Sequence, residues 1–118
     1  MKSDKSFQRL NSKQKGNQFE RHCAAILRAE LWPECYTSRF MGSAWDDYNG
    51  IDLTGTGNFN IQCKAVERSM HYHSILKDMP QGVKTNIVIH KRNNAGIVVA
   101  MNLADFIKIM KGIKRGER

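Results

Sequence analysis

Residues 50–66 read GIDLTGTGNFNIQCKAV and decide the fold, because they hold two strand patterns separated by a glycine-rich turn. In the second pattern every other residue is apolar, which is typical of a strand with one buried face. The residues predicted to face the core are Phe59, Ile61, Cys63 and Ala65. If residues 55–57 form a three-residue turn, the residues paired across the two flanking strands have numbers that sum to an even value. That parity places Asp52 on the face of Gln62 and Lys64, about one pairing step away, whereas a one-residue slip would place it on the opposite face.

Outward from this hairpin, the chain alternates between strand and helix patterns. The predicted strands are 34–40, 50–54, 58–66, 85–91 and 97–101. A loop at 41–49 separates the first two strands, and a crossover at 67–80 separates the third from the fourth. The last strand is an unbroken apolar run, which predicts a central strand covered on both faces. Helices are predicted at both ends, so we expect an α/β protein with a mixed sheet flanked by helices.

The two terminal helices are predicted from apolar residues at helical spacing. The first covers residues 15–30, and its predicted buried stripe is Phe19, Cys23, Ile26 and Leu27. The second starts at the cap Asn102, and its predicted buried stripe is Leu103, Phe106, Ile107 and Met110. We therefore predict one domain over residues 14–112, with a basic arm at 1–13 and a basic tail at 113–118.

The charge balance indicates the class of partner. Nineteen Lys and Arg residues face eleven Asp and Glu residues, a formal net charge of +8, in a chain of 118 residues. Such an excess favours polyanions, and nucleic acid first among them. Three scattered cysteines do not form a disulfide framework and favour a reducing, cytoplasmic setting. No apolar run reaches membrane-spanning length, so no membrane partner is expected.

The polar residues of the hairpin match the needs of phosphodiester hydrolysis. Mg²⁺ prefers oxygen ligands and keeps several waters, so one or two carboxylates plus a carbonyl can hold it. Asp52, the Gln62 side-chain oxygen and the Cys63 backbone carbonyl are the candidate ligands. Lys64 can polarise the attacking water and offset charge in the transition state. Glu20 lies at the edge of the first helix's apolar stripe, where it can add a second carboxylate.

Several short motifs resemble the PD-(D/E)xK nuclease superfamily, and most closely the archaeal-type and phage Holliday-junction resolvases. The matching stretches are 15–21 (KGNQFER), 39–43 (RFMGS), 50–53 (GIDL), 61–64 (IQCK), 88–92 (VIHKR) and 101–106 (MNLADF). The resemblance implies a restriction-endonuclease-like α/β/α core, a homodimer, and structure-selective cutting of branched DNA with Mg²⁺, for which Mn²⁺ is expected to substitute. It also makes an intracellular, phage-encoded protein an expectation.

Carried over by position, the resemblance assigns a role to individual residues. Glu20 matches the helix carboxylate, Ser43 a loop serine that contacts backbone near the site, Asp52 the metal-binding aspartate and Lys64 the catalytic lysine. The catalytic set is completed by Gln62. The residues expected to contact DNA are Lys15, Arg21, Arg39, Ser43, Lys91 and Arg92.

Two positions depart from the resolvase pattern. Ile51 stands in place of the superfamily's proline, a change that many members tolerate. Gln62 stands where resolvases usually carry Glu. A Gln at this position resembles the pattern of Mrr-like restriction nucleases, and it leaves the metal site with one negative charge fewer. Three hypotheses therefore remain: a junction resolvase, a restriction or repair nuclease acting on other DNA, and a DNA-binding module of the same fold that lost catalysis.

Overall fold

The computed structural model of the protein describes residues 11–116, with every side chain in that range except that of Asp47. Its five-stranded mixed sheet is built from β1 (Tyr36–Thr37), β2 (Leu53–Thr54), β3 (Phe59–Lys64), β4 (Thr85–Arg92) and β5 (Gly96–Ala100). Its helices are α1 (Ser12–Glu30), α2 (Ser38–Met41), α3 (Ala44–Tyr48), α4 (Tyr72–Asp78) and α5 (Leu103–Lys114). The strands follow chain order across the sheet, and every neighbouring pair is antiparallel except β3 and β4. The predicted α/β class, with a mixed sheet flanked by helices, is confirmed.

Helix α1 begins at Ser12, earlier than predicted, because Asn11 caps it. The Asn11 side chain accepts a hydrogen bond from the Gln14 N–H (2.8 Å), and the Gln14 side chain accepts one from the Asn11 N–H (3.1 Å). This reciprocal pair is a capping box, which satisfies two N–H groups that would otherwise lack partners. The end of the predicted basic arm is therefore helical, and the rest of that arm, residues 1–10, lies outside the described residues.

The main core lies between α1 and one face of the sheet. Phe19 and Cys23 are buried as predicted, whereas Ile26 is exposed. The prediction for Ile26 was wrong because the apolar stripe of α1 is broader than the part that meets the sheet. The other buried members of this core are Ala24, Cys35, Leu53, Ile61, Cys63, Ile87 and Ile89. Phe59 and Ala65 pack against it, so the predicted alternation in β3 is confirmed.

The hairpin register pairs Leu53 with Ile61, an even sum, as the turn predicted. The Asp52 N–H also donates to the Ile61 carbonyl (2.8 Å), so two successive residues oppose one, as in a β-bulge. At the turn, Gly55 has a φ of +71°, and a side chain there would collide with the backbone carbonyl of Glu34.

The segment 34–49 differs from its prediction. A strand was predicted over 34–40, but β1 holds two residues and the chain then turns into α2. The reason is local: the Thr37 hydroxyl accepts from the Phe40 N–H (3.0 Å) and caps a helical turn. The segment predicted as a loop contains α3. The crossover at 67–80 was predicted to be irregular or partly helical, and it contains α4.

The C-terminal part of the sheet also differs. Strand β5 pairs only with β4 and lies at the sheet edge, so the prediction of a covered central strand was wrong. Its residues Ile97, Val98 and Val99 are exposed. Helix α5 starts after Asn102 as predicted, but no residue of α5 is buried against the rest of the described chain, so the predicted buried stripe was wrong too. The spacing correctly indicates an apolar face, but spacing does not specify what covers that face.

Among residues 11–116 no helix has the length and apolar character needed to cross a membrane. The helix α5 extends into the predicted basic tail as far as Lys114, and residues 117–118 lie outside the described range.

Candidate active site

Six residues of the predicted catalytic and DNA-contacting sets line one cleft at the N-terminal half of α1. They are Lys15, Glu20, Arg39, Asp52, Gln62 and Lys64. Lys15 and Glu20 come from α1, Arg39 from α2, Asp52 from the residue before β2, and the last two from β3. The cleft is formed by four separate segments of the chain, so only the tertiary fold brings these side chains together.

Asp52 is held rigidly by backbone hydrogen bonds. One carboxylate oxygen, Oδ2, accepts from the Cys63 N–H (2.7 Å), which ties Asp52 to β3. On the other side, the Asp52 carbonyl accepts from the Ser38 N–H (2.8 Å). The Ser38 hydroxyl, which is fully buried, donates to the Ile51 carbonyl (2.8 Å). Ser38 therefore positions the segment that carries the aspartate.

Ser38 was not predicted to be part of the site. The available signal was Thr37-Ser38 at the end of a short apolar stretch, since Thr and Ser favour helix starts. A helix start there would have ended the predicted strand early. It would also have turned Ser38 toward the neighbouring β2 segment.

The Asp52 carboxylate is poorly solvated. Burial raises its pKa to about 7, and the Glu20 carboxylate contributes in the same direction. The hydrogen bond from Cys63 and the charges of Lys64 and Arg39 oppose that shift without cancelling it. A carboxyl group in this state gains from a nearby cation, because the cation would stabilise its charged form.

Glu20 forms an ion pair across the cleft with Arg39 (Oε1 to Nη2, 3.3 Å). The Glu20 side chain is only 12% exposed, whereas that of Arg39 is 50% exposed. Glu20 therefore lines the cleft from α1, the helix from which it was predicted to approach. Arg39, which we expected to contact DNA, joins α2 to α1 at the rim of the cleft.

Gln62 and Cys63 occupy the β3 side of the cleft. The Gln62 side chain lies against Gly50, where a Cβ atom would stand 3.3 Å from Oε1; Gly50 also has a φ of +73°. The Cys63 thiol is buried and hydrogen-bonded to the Cys23 thiol. This hydrogen bond and the burial both raise the pKa of Cys63, so its thiol stays protonated. Because an extended residue points its N–H and C=O to the same side, the Cys63 carbonyl faces Asp52.

These oxygen donors fit Mg²⁺ in kind, although the site has few negative charges. Glu20 and Asp52 are carboxylates, and Gln62 and the Cys63 carbonyl are neutral oxygens. Oδ1 of Asp52 has no role in the hydrogen bond to Cys63 and can face a cation. Among residues 11–116 there is no cluster of three or more His, Cys, Asp or Glu side chains suited to a metal. A metal here would depend on two carboxylates and several waters, which Mg²⁺ accepts.

The remaining predicted residues lie at different distances from this cleft. Lys15 lines the cleft and forms an ion pair with Glu67 (Nζ to Oε2, 3.1 Å). The pKa of Glu67 is lowered, chiefly by a hydrogen bond from the Asn93 N–H. Ser43 is not among the described residues that line the cleft. Its N–H donates to the Ser38 carbonyl (3.0 Å), so its contact is with the segment that holds Asp52.

The other three cations lie away from this cleft. Arg21 is exposed on the outer side of α1, beside Gln14 and Gln18. Lys91 and Arg92 are exposed at the end of β4, where Lys91 shares a shallow depression with Lys15. The structure thus places Lys15 and Arg39 at the cleft and leaves Arg21 and Arg92 outside it.

Comparison of the chain with protein-family models, with curated proteins and with solved structures found no match.

Proposed function

We propose that this protein is a metal-dependent endonuclease with a restriction-endonuclease-like core that nicks branched DNA, in the manner of a Holliday-junction resolvase. One observation carries the proposal: Glu20, Asp52, Gln62 and Lys64 converge in a single cleft. Two carboxylates supply metal ligands, and a lysine beside them can orient water and offset transition-state charge. The net charge of +8 supports a polyanionic substrate.

The groups in the cleft have distinct tasks in this proposal. Asp52 and Glu20, with the Gln62 and Cys63 oxygens, would hold Mg²⁺ or Mn²⁺, and the ion would neutralise the phosphate. Lys64 would position the attacking water at the phosphorus. Arg39 and Lys15 lie at the rim of the cleft and would contact flanking phosphates. The free, buried thiols support a reducing compartment such as the cytoplasm.

The test is cleavage of a labelled four-way junction in Mg²⁺ or Mn²⁺, compared with a linear duplex of the same sequence. Asp52→Ala and Lys64→Ala should each lower the rate by about a hundredfold or more. Asp78→Ala and Lys77→Ala are matched controls, because both residues are exposed on α4 and absent from the cleft. If the cleft variants cut as well as the controls, the assignment is wrong; equal cutting of duplex and junction would indicate a restriction or repair nuclease instead.

We further propose that the protein acts as a homodimer through β5 and α5. The exposed apolar residues of β5 and α5 that we assign to this contact, here called the β5–α5 face, are Ile97, Val99, Leu103, Phe106, Ile107, Met110 and Ile113. Within the described chain nothing buries these side chains, and an apolar edge strand readily pairs with another chain. A second copy is the partner we propose, because paired nicks in a two-fold junction require two cleavage sites.

A DNA-binding module without catalysis is the second candidate, and Gln62 is the observation that favours it. With Gln in place of a carboxylate, only two of the proposed metal ligands, Glu20 and Asp52, are acidic, and the described residues contain no cluster of three or more His, Cys, Asp or Glu side chains suited to a metal. Calorimetric titration with Mn²⁺ separates the candidates. Binding that Asp52→Ala abolishes supports the nuclease, whereas absence of binding supports the module.

A further inference from the structure

Helix α2 carries three consecutive residues that face three different surroundings. Ser38 holds the Asp52 backbone, and Arg39 lines the cleft and pairs with Glu20. Phe40, the next residue, is 73% exposed. A large aromatic ring thus lies in solvent one residue from the cleft.

The Phe40 ring is fixed in orientation although it is exposed. It stacks on Tyr36, with ring centroids 5.3 Å apart and planes inclined by 25°. Tyr36 in turn carries the Arg28 guanidinium 4.3 Å from its ring centroid, and Arg28 donates to the Cys35 carbonyl (2.6 Å). These contacts form a stacked column that starts in α1 and ends at an exposed aromatic ring, so the ring is ordered before any ligand binds.

Phe40 belongs to a larger exposed apolar segment. Within residues 40–48, Met41, Trp45 and Tyr48 are also largely exposed. Exposed large apolar groups at this density mark an interaction surface rather than ordinary surface variation. The segment follows directly after Arg39, which lines the cleft, so one extended ligand can contact both.

We propose that Phe40 is a stacking platform for an unpaired nucleobase of the DNA held in the cleft. This inference rests on the proposed function and adds to it a physical basis for choosing branched DNA. Aromatic rings stack on bases of any sequence, but only a base released from its duplex neighbours offers a free face. The strand with the unpaired base would reach Phe40 while its phosphates contact Arg39, and the basic character of the chain supports a nucleic acid there over an apolar protein.

The experiment measures binding in EDTA, so that cleavage does not interfere. The probes are a four-way junction with 2-aminopurine at the branch point and a duplex of the same sequence. Phe40→Ala and Phe40→Leu should both weaken junction binding about tenfold, while Phe40→Trp retains it. Duplex binding should stay unchanged, and the 2-aminopurine quenching caused by the protein should disappear with Ala and Leu. Val83→Ala is the control, since Val83 is an apolar residue that is even more exposed than Phe40 and lies in the loop before β4.

Each other outcome overturns the platform. Equal losses on junction and duplex would make Phe40 a general contact, and a Leu variant that binds like the parent would make the π face irrelevant. A change of oligomeric state in Phe40→Ala, measured by sedimentation, would assign the segment to a protein interface. If the parent protein binds neither DNA, the proposed function fails as well. If the parent binds DNA and the Phe40 variants bind as well as the parent does, only the stacking role of Phe40 fails.

Discussion

Two regions of the molecule depart from the usual separation of charged surface and apolar core, and they do so in opposite ways. In the cleft under α1, the carboxylates of Glu20 and Asp52 are withdrawn from water. On the β5–α5 face, apolar side chains such as Phe106 and Ile107 are left in water. Both arrangements cost stability in an isolated chain, since a desolvated charge and an exposed apolar surface are each unfavourable.

Each region would gain stability from a different kind of additional partner. A cation stabilises desolvated carboxylates through charge, and a second apolar surface stabilises exposed hydrophobes through burial. The cleft is therefore expected to respond to pH and metal, and the β5–α5 face to protein concentration. The following predictions test whether the two regions respond separately.

The largest effect is expected from Asp52→Asn in metal-free protein. The Asp52 pKa is about 7 in the fold, whereas it is about 3.9 in an unfolded chain. The folded state therefore retains the proton that the unfolded state loses, so stability decreases as pH rises from about 4 to 7. Asn carries no charge and escapes this loss. The Asn variant should be more stable than the parent by a few kcal/mol, at most about 4, at pH 8, and the two should be equal near pH 4.

Urea unfolding at both pH values in EDTA measures this difference. Addition of Mg²⁺ at pH 8 should stabilise the parent protein and leave the Asn variant nearly unchanged. Asp78→Asn is the control, because Asp78 is exposed on α4. A parent protein whose stability is flat between pH 4 and pH 8 would contradict the burial of charge at Asp52.

A second prediction concerns the β5–α5 face. Phe106→Glu should raise the dimer dissociation constant about a hundredfold, because a charge would enter an apolar interface. Sedimentation equilibrium over a range of protein concentrations measures it. The metal response of the cleft should persist in the monomer. Val83→Glu adds the same charge at an exposed apolar residue elsewhere and should have no effect on association.

A third prediction uses Gln62→Glu, which adds a carboxylate to the cleft. We expect the affinity for Mn²⁺ to rise about tenfold, because a charged ligand holds a divalent ion more strongly than an amide oxygen does. Calorimetric titration gives the value, and Gln18→Glu, on the exposed side of α1, is the charge-matched control. Unchanged affinity would mean that residue 62 does not reach the ion.

The smallest effect is expected from Lys15→Gln. Lys15 pairs with Glu67, so its contribution to phosphate binding competes with that ion pair. The slope of the logarithm of DNA affinity against the logarithm of salt concentration should decrease by about one. Lys114→Gln, at the end of α5, should leave the slope unchanged. An unchanged slope in the Lys15 variant would place this lysine outside the DNA contact.

Much of the cleft could be predicted from local sequence. The alternation in β3 placed Gln62 and Lys64 on the face opposite Ile61, and the glycine-rich turn fixed the parity that brings Asp52 near them. The position of Glu20 at the edge of the α1 stripe predicted its approach from the helix. These signals are reliable because alternation and turn parity depend on residues close in sequence.

Other parts of the site could not be predicted this way. The hydrogen bonds of Ser38 to the backbone of residues 51 and 52 join segments thirteen or more residues apart, and no local pattern encodes that contact. The stacking of Phe40 on Tyr36 arose where a strand was expected, because the Thr37 hydroxyl capped a helix turn there.

Composition and spacings within single elements were enough to predict the α/β class, the two terminal helices, the hairpin and the strongly basic character. Which apolar faces are covered depends instead on tertiary packing: that of α1 meets the sheet, whereas that of α5 does not. Tertiary packing also decided that Asp52 is desolvated, since burial depends on segments that approach from elsewhere in the chain. The periodicity of a helix indicates which side is apolar, but tertiary packing determines what that side contacts.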